Sequence, residues 1–166
     1  MSGLISEPLT GQHNRTAFRC GVPELDAYLQ AQATQDVRRK VAAVYVLVDR
    51  DEPATIIGYY TLSSFAVETD DVPEAIQRNL PRYPLTPATL IGRLARDTRF
   101  PGVGSHLLVD ALRRILLHSR QLGSAAVVVD VKNDAARRFY LRHGFLAFLQ
   151  NSERLFLPMK AIEPLE

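Results

Sequence analysis

The sequence predicts an α+β fold, an α/β mixed sheet that is mostly antiparallel, carries one parallel strand pair and is flanked by helices. Three observations predict it. Apolar, β-branched runs recur at strand length, as in Val41–Val48 and Ser124–Val131. Other stretches place apolar residues at helical spacing, the longest being Leu107, Leu108, Ala111, Leu112, Ile115 and Leu116. The order of elements mixes a hairpin with a strand–helix–strand unit, which needs a right-handed crossover and therefore two parallel strands.

Taken in order, Pro23 suits the first position of a helix that runs to about Arg39, with Leu25, Tyr28, Leu29 and Gln32 on one face and alanines between them. Val41–Val48 and Ala54–Val67 flank the polar turn Asp49–Pro53 and read as an antiparallel hairpin. Val72 to Asn79 reads as a short helix opened by Pro73. Pro81, Pro84 and Pro87 then forbid a regular helix and predict a stiff loop between Asn79 and Thr89. Thr89–Ala95 is a strand, and Arg99–Gly104 a turn that opens the long amphipathic helix, with Gly123 placed to cap its end. Asp134 is placed to cap a helix carrying Ala135, Ala136, Phe139 and Tyr140, which Gly144 closes. Phe145–Phe148 and Arg154–Met159 are the last strands.

The chain has 166 residues, 46% of them hydrophobic and 23% charged, with a net charge of +2. Those values suit one folded domain over 1–166 and argue against global disorder. Cys20 is the only cysteine, which excludes an internal disulfide scaffold or a cysteine-based zinc cage; no metal is expected. No apolar run reaches the ~18–20 residues that span a bilayer, and Met1–Thr10 lacks a charged-then-apolar secretory pattern. A cytoplasmic protein without membrane association is expected. The net charge is too small to mark a dedicated nucleic-acid-binding domain, but the arginines cluster, as in Arg38-Arg39-Lys40 and Arg93, Arg96, Arg99.

The informative feature is a strand that runs into a glycine turn and then a helix. Glycine permits close approach of a ligand to the backbone, and the first helical turn offers free N–H groups at a positive dipole end, which together suit a phosphate. The segment Leu90-Ile-Gly-Arg-Leu-Ala-Arg-Asp97, then Arg99-x-x-Gly102-x-Gly104, then Leu107-Leu108, closely resembles motif A of the Gcn5-related N-acetyltransferase (GNAT) superfamily. Asn133-x-x-Ala136-x-x-Phe139-Tyr140-x-x-x-Gly144-Phe145 resembles motif B. The resemblance narrows with Phe18-Arg-Cys-Gly21, Pro23-Glu-Leu-Asp-Ala-Tyr-Leu29, Tyr45–Val48, Ile57–Leu62 and Leu155-Phe-Leu-Pro-Met159, which are similar to the acetyltransferase toxins of bacterial type II toxin–antitoxin systems.

The resemblance implies the GNAT fold, in which the parallel strands splay and acetyl-CoA inserts between them. It implies transfer of acetyl to the α-amine of aminoacyl-tRNA, blocking translation; acetylation of a small-molecule or protein amine is the alternative on the same fold. Leu94, Ala95 and Arg96 would meet the pantetheine arm and thioester oxygen. Gly102, Val103, Gly104 and Ser105 would take the diphosphate. Asn133, Ala136 and Phe139 would flank the arm, and Tyr140 would face the sulfur as the acid. The glycine loop is shorter than in many relatives: either Arg99 begins the motif, or Gly102 and Gly104 match its last two glycines. His106 sits where a small residue is common and reads as a partly exposed helix histidine. A ribbon-helix-helix antitoxin and a homodimer are implied as well.

No carboxylate announces itself as a general base, although Glu68, Asp70 and Asp71 follow a strand. That suits an α-amine, whose pKa near 7.7–8.0 leaves it partly neutral, better than a lysine near 10.4. A tRNA acceptor stem presents dense phosphate, so Arg38, Arg39, Lys40, Arg78, Arg82, Arg93 and Arg96 are its candidate contacts. Arg93 shares strand parity with Ile91 and Ala95, and a place in an ion pair at a subunit interface is its other reading.

Overall fold

The computed structural model describes residues 3–151 and 153–165. Its strands are β1 (Leu4–Pro8), β2 (Ala43–Asp49), β3 (Gly58–Glu68), β4 (Leu85–Arg96), β5 (Ala126–Asp130), β6 (Leu146–Ala147) and β7 (Arg154–Pro158). They form one seven-stranded sheet in the order β1-β2-β3-β4-β5-β7-β6. β2 pairs antiparallel with β1 and β3, and β7 with β5 and β6. The parallel pair is β4 with β5, in register from Thr89↔Val127 to Ile91↔Val129. This is the mixed sheet that the sequence predicts. Among the described residues, no helix is long and apolar enough to cross a membrane.

Contacts group the chain into two compact units, one holding the chain up to Ser63 with Gly92–Ala111, the other Ser64–Ile91 with the chain from Leu112 onward. In the first, α1 (Pro23–Ala27) and α2 (Ala33–Arg38) are joined by one π turn, Tyr28–Gln32. Pro23 opens the helix as expected. The π turn, closed by Ala33 N–H to the Tyr28 carbonyl, lets Tyr28, Leu29 and Ala33 all face the core. Tyr28 stacks on Tyr59 at 6.3 Å, and Phe18 meets Tyr59 edge-on at 5.5 Å. The helix ends with Lys40 N–H on the Val37 carbonyl and Val41 N–H on the Asp36 carbonyl. Lys40 sits at φ 61, a left-handed position where a side chain costs about 1–2 kcal/mol. Arg38, Arg39 and Lys40 thus cluster where a helix carboxyl end favours cations.

In the second unit, β5 is buried along Ala126–Val129 and pairs residue for residue with β7. Short α3 (Glu74–Gln77) follows Pro73, and α5 (Asp134–Arg142) and α6 (Met159–Ile162) complete the unit's helices. Phe148 packs on Phe156 at 4.8 Å beside Val67, Val72 and Val128. The long helix α4 (Gly104–His118), which the first unit holds up to Ala111 and the second from Leu112, buries its whole predicted stripe, from Leu107 to Leu116, at no more than 4% exposure. Each of its leucines, and Ile115, contributes about 1.5–3 kcal/mol.

Several boundaries differ from expectation. β1 pairs with β2 along Leu4–Pro8, where the sequence reading places no strand: it is short, an edge strand with Ser6 and Glu7 in its middle, and shows no clean alternation. β4 starts at Leu85 rather than Thr89 and carries Pro87, whose carbonyl accepts from Ala125 N–H while its missing N–H costs the ladder one donor. Gly123 does not cap α4, because the helix ends at His118 and the Gln121 and Leu122 amides turn back onto its carbonyl. The final strand stops at Pro158, and Met159 opens α6.

Candidate active site

The end of β4 is clamped by a buried carboxylate that the sequence reading leaves unassigned. Asp97 is fully buried. Its Oδ1 accepts from the Arg99 amide and Arg99 Nε, both at 2.9 Å, and its Oδ2 from the Arg19 amide and Arg99 Nη2, both at 3.0 Å. Its own amide donates to the Ile57 carbonyl at 2.8 Å. Burial disfavours the charged form, but the Arg99 guanidinium and the two amides outweigh it and hold the carboxyl below its ordinary value. Arg99 is half-exposed, and two of its donors are taken by this forked pair. An acid two residues before an arginine was the only local signal.

Beyond the clamp, Gly102 adopts φ +86, and a side chain there would meet nothing within 4 Å. Val103 is buried, and its carbonyl takes the Leu107 amide at 2.9 Å, the first bond of α4. The amides of Gly104, Ser105 and His106 therefore have no acceptor within the helix, and Ser105 and His106 are exposed. Leu94 and Arg96 are half-buried and Ala95 is buried. β4 runs on to Arg96 past its last parallel partner, Ile91.

The cap of α5 is Asn133, not Asp134. Asn133 is extended at φ −154, and its Oδ1 accepts the Ala136 amide at 2.8 Å, while Asp134 is the first helical residue. Asn133 keeps its Nδ2 for other partners. At the far end Phe145 N–H reaches the Tyr140 carbonyl, Gly144 N–H reaches that of Leu141, and Gly144 is left-handed at φ 90. The Phe145 ring also packs edge-on against Tyr140 at 5.2 Å, as does Phe139. Tyr140 is 7% exposed, and burial pushes its phenol above the ordinary value. Its hydroxyl has no hydrogen-bond partner among the described residues and still keeps a little accessible surface.

The basic candidates divide. Arg38, Arg39, Lys40, Arg78 and Arg82 are exposed. Arg78 and Arg82 line one cavity of about 630 Å³ together with Tyr83, which is 67% exposed, and with the acids Asp70 and Glu74. Arg93 is half-buried, its guanidinium 3.5 Å from the centre of the Tyr28 ring; that tyrosine donates to Asp36 at 2.8 Å and is pushed up to about 12, chiefly by burial. Glu68 and Asp71 line a second cavity, of about 410 Å³, with Phe65, Phe148, Asn151 and Arg154.

A protein named "Probable toxin TacT" from Sinorhizobium fredii is 33% identical to this chain over 97% of its length and 94% of the relative's. The chain belongs to the GNAT-type acetyltransferase toxins. A second member of the family, the "tRNA-acetylating toxin" of Mycobacterium tuberculosis, is 34% identical over 87% of this chain and 86% of its own. Among solved structures of these toxins, a tyrosine-to-phenylalanine mutant of KacT superimposes with a TM-score of 0.91 at 30% identity, covering 99% of this chain and 100% of that one. AtaT complexed with acetyl-methionyl-tRNAfMet gives 0.90 at 29% identity over 98% of each chain. AtaTR bound with acetyl-CoA gives 0.85 at 29% identity over 99% of each. No family model matches the chain.

Proposed function

We propose that this chain is an acetyl-CoA-dependent N-acetyltransferase toxin that acetylates the α-amine of aminoacyl-tRNA and so blocks translation. The observation that carries it is the near-full-length likeness to toxins that acetylate tRNA, joined to residues that suit the chemistry. The turn at Gly102 is open where a side chain would stand, and the first amides of α4, which a helix leaves without intrahelical acceptors, follow it. These amides, with Gly102 and Val103, hold a diphosphate; the backbone of Leu94, Ala95 and Arg96 and the Nδ2 of Asn133 hold the pantetheine arm, with Ala136 and Phe139 beside it. Acetyl-CoA supplies the acyl group activated as a thioester.

Tyr140 holds its proton at Oη at cellular pH, because burial raises its pKa. A protonated phenol with no hydrogen-bond partner among the described residues is a proton donor for a leaving thiolate. Arg99 reaches the cofactor only through whatever donor its pair with Asp97 leaves over. Its first task is to hold Asp97, and so the strand end, in place. Arg38, Arg39, Lys40, Arg78, Arg82 and Arg93 contact the tRNA, with Arg93 presenting a guanidinium already stacked on Tyr28.

The chain acts as one catalytic domain and a homodimer in the cytoplasm, neutralised by an antitoxin of ribbon-helix-helix type. The test is transfer of label from [¹⁴C]acetyl-CoA into charged tRNA, with polyamines and free amino acids as competitors. Label is expected in aminoacyl-tRNA. Label in a polyamine or protein alone refutes the tRNA reading.

A further inference from the structure

Two cavities in the second unit share Asn151 and Arg154 and so form one recess. One part, about 410 Å³, has Phe65 and Phe148 as apolar walls. The other, about 400 Å³, is lined by Asp130, Lys132 and Glu153. Lys132 directly precedes Asn133, the cap of the helix that bears Tyr140. The recess therefore opens at the carboxyl end of β5, where ligands of α/β sheets gather.

The walls are braced from within. Arg154 Nε donates to Asp130 Oδ1 at 2.7 Å, and its guanidinium lies 4.7 Å from the centre of the Phe65 ring. The Leu149 amide bonds to the Asp71 carbonyl at 2.8 Å and the Gln150 amide to Asp71 Oδ1 at 2.7 Å, which ties the loop after Phe148 to the end of β3. The charge is lopsided. The carboxylates of Glu68, Asp71, Asp130 and Glu153 face only Lys132 and Arg154, and Arg154 is already neutralised by Asp130. Glu68 has no side-chain partner among the described residues. Such a recess repels phosphate and draws a cation with apolar substance behind it. The cavity at Arg78, Arg82 and Tyr83 is balanced instead, with Asp70 and Glu74 against the two arginines, and offers guanidinium groups and an exposed ring to a nucleotide.

We infer that this recess receives the aminoacyl end of the charged tRNA, with the α-ammonium drawn to Glu68 and Asp71, one of whose carboxylates takes the proton it sheds before the neutral amine attacks, and an apolar amino-acid side chain against Phe65 and Phe148. The inference rests on the tRNA reading above and adds the class of amino acid that the protein selects. An acidic side chain is excluded by the same carboxylates that attract the ammonium.

The experiment uses the full chain and one tRNA body misacylated in turn with methionine, glycine and aspartate, so that only the side chain varies. Methionine is expected to exceed aspartate in kcat/KM by about 10-fold or more, the usual reach of an apolar pocket. Phe65→Leu is expected to pull methionine down to within about twofold of glycine, leaving the KM for acetyl-CoA unchanged. Glu68→Gln, an isosteric change on an exposed residue, is expected to raise the KM of all three acceptors several-fold and to narrow the gap between methionine and aspartate. Equal kcat/KM for the three amino acids overturns the inference. So does an equal loss for all three in Phe65→Leu, or an unaltered methionine-to-aspartate ratio in Glu68→Gln. If the parent protein labels no charged tRNA at all, the tRNA reading itself falls and this inference with it.

Discussion

Asp97→Asn removes one charge and almost no volume, so its effect isolates the clamp at the end of β4. The four donors converge on two oxygens, two on each. An amide keeps one oxygen and turns the other position into an NH₂ that faces two donors. Two hydrogen bonds are lost, at least one of them to a charged group, and a buried polar contact becomes repulsive. At about 1–3 kcal/mol for each, and discounting the half-exposed Arg99 for solvent screening, the loss comes to about 3 kcal/mol. For a chain of this length that is a fall in Tm of about 9 °C. The assay is thermal or urea unfolding of both proteins between pH 2.5 and 8. Because the folded carboxyl titrates below its ordinary value, the parent's advantage is present above pH ~4 and drains away as pH drops through the lowered pKa. The two stability curves therefore converge in acid. A loss below about 1 kcal/mol at pH 7, or a gap that stays constant down to pH 2.5, would refute the reasoning.

Three further outcomes are expected. Tyr140→Phe leaves Tm within about 1 °C, since the hydroxyl has no hydrogen-bond partner among the described residues, but lowers kcat by about 10²–10⁴; steady-state kinetics and a melt on one preparation separate the two. Gly102→Ala, at φ +86 with open space around it, costs about 1–2 kcal/mol of backbone strain and raises the KM for acetyl-CoA; a mutant with parental stability and KM removes the turn from the site. The Cys20 thiol is pushed up to about 11, first by burial and then by Asp26, so at pH 8 it should alkylate at least about 100-fold more slowly than free cysteine. Iodoacetamide kinetics followed by mass spectrometry read that directly.

Much of the fold was legible because its signals are local. The stripe from Leu107 to Leu116 repeats at helical spacing, and every member is buried. Gly144 closes α5 where a glycine after a helical run should. The missed features depend on partners far away in sequence or on geometry without a residue signature. β1 is a strand because β2 offers it an edge. The π turn at Tyr28–Gln32 adds one residue to a helix whose composition gives no hint of it. At the candidate site, Asn133 rather than its neighbour Asp134 caps α5, because only the extended Asn133 backbone brings a side-chain oxygen to the Ala136 amide. Asp97 escaped notice because burial of a carboxylate depends on Arg19, 78 residues earlier. The recess at Phe65 and Arg154 joins β3, β5 and β7, so no window of sequence contains it.

The closure of α5 has a consequence for how this chemistry is inherited. The bond from Phe145 to the Tyr140 carbonyl, and the contact between their rings, make the stop of the helix and the aim of the phenol a single object. One residue inserted or deleted between them swings the hydroxyl by about 100° around the helix axis. Descendants of this chain can vary the intervening letters, but they cannot change their number and keep the phenol aimed as it is. A change in the length of this hexapeptide therefore displaces the hydroxyl as surely as replacing the tyrosine removes it.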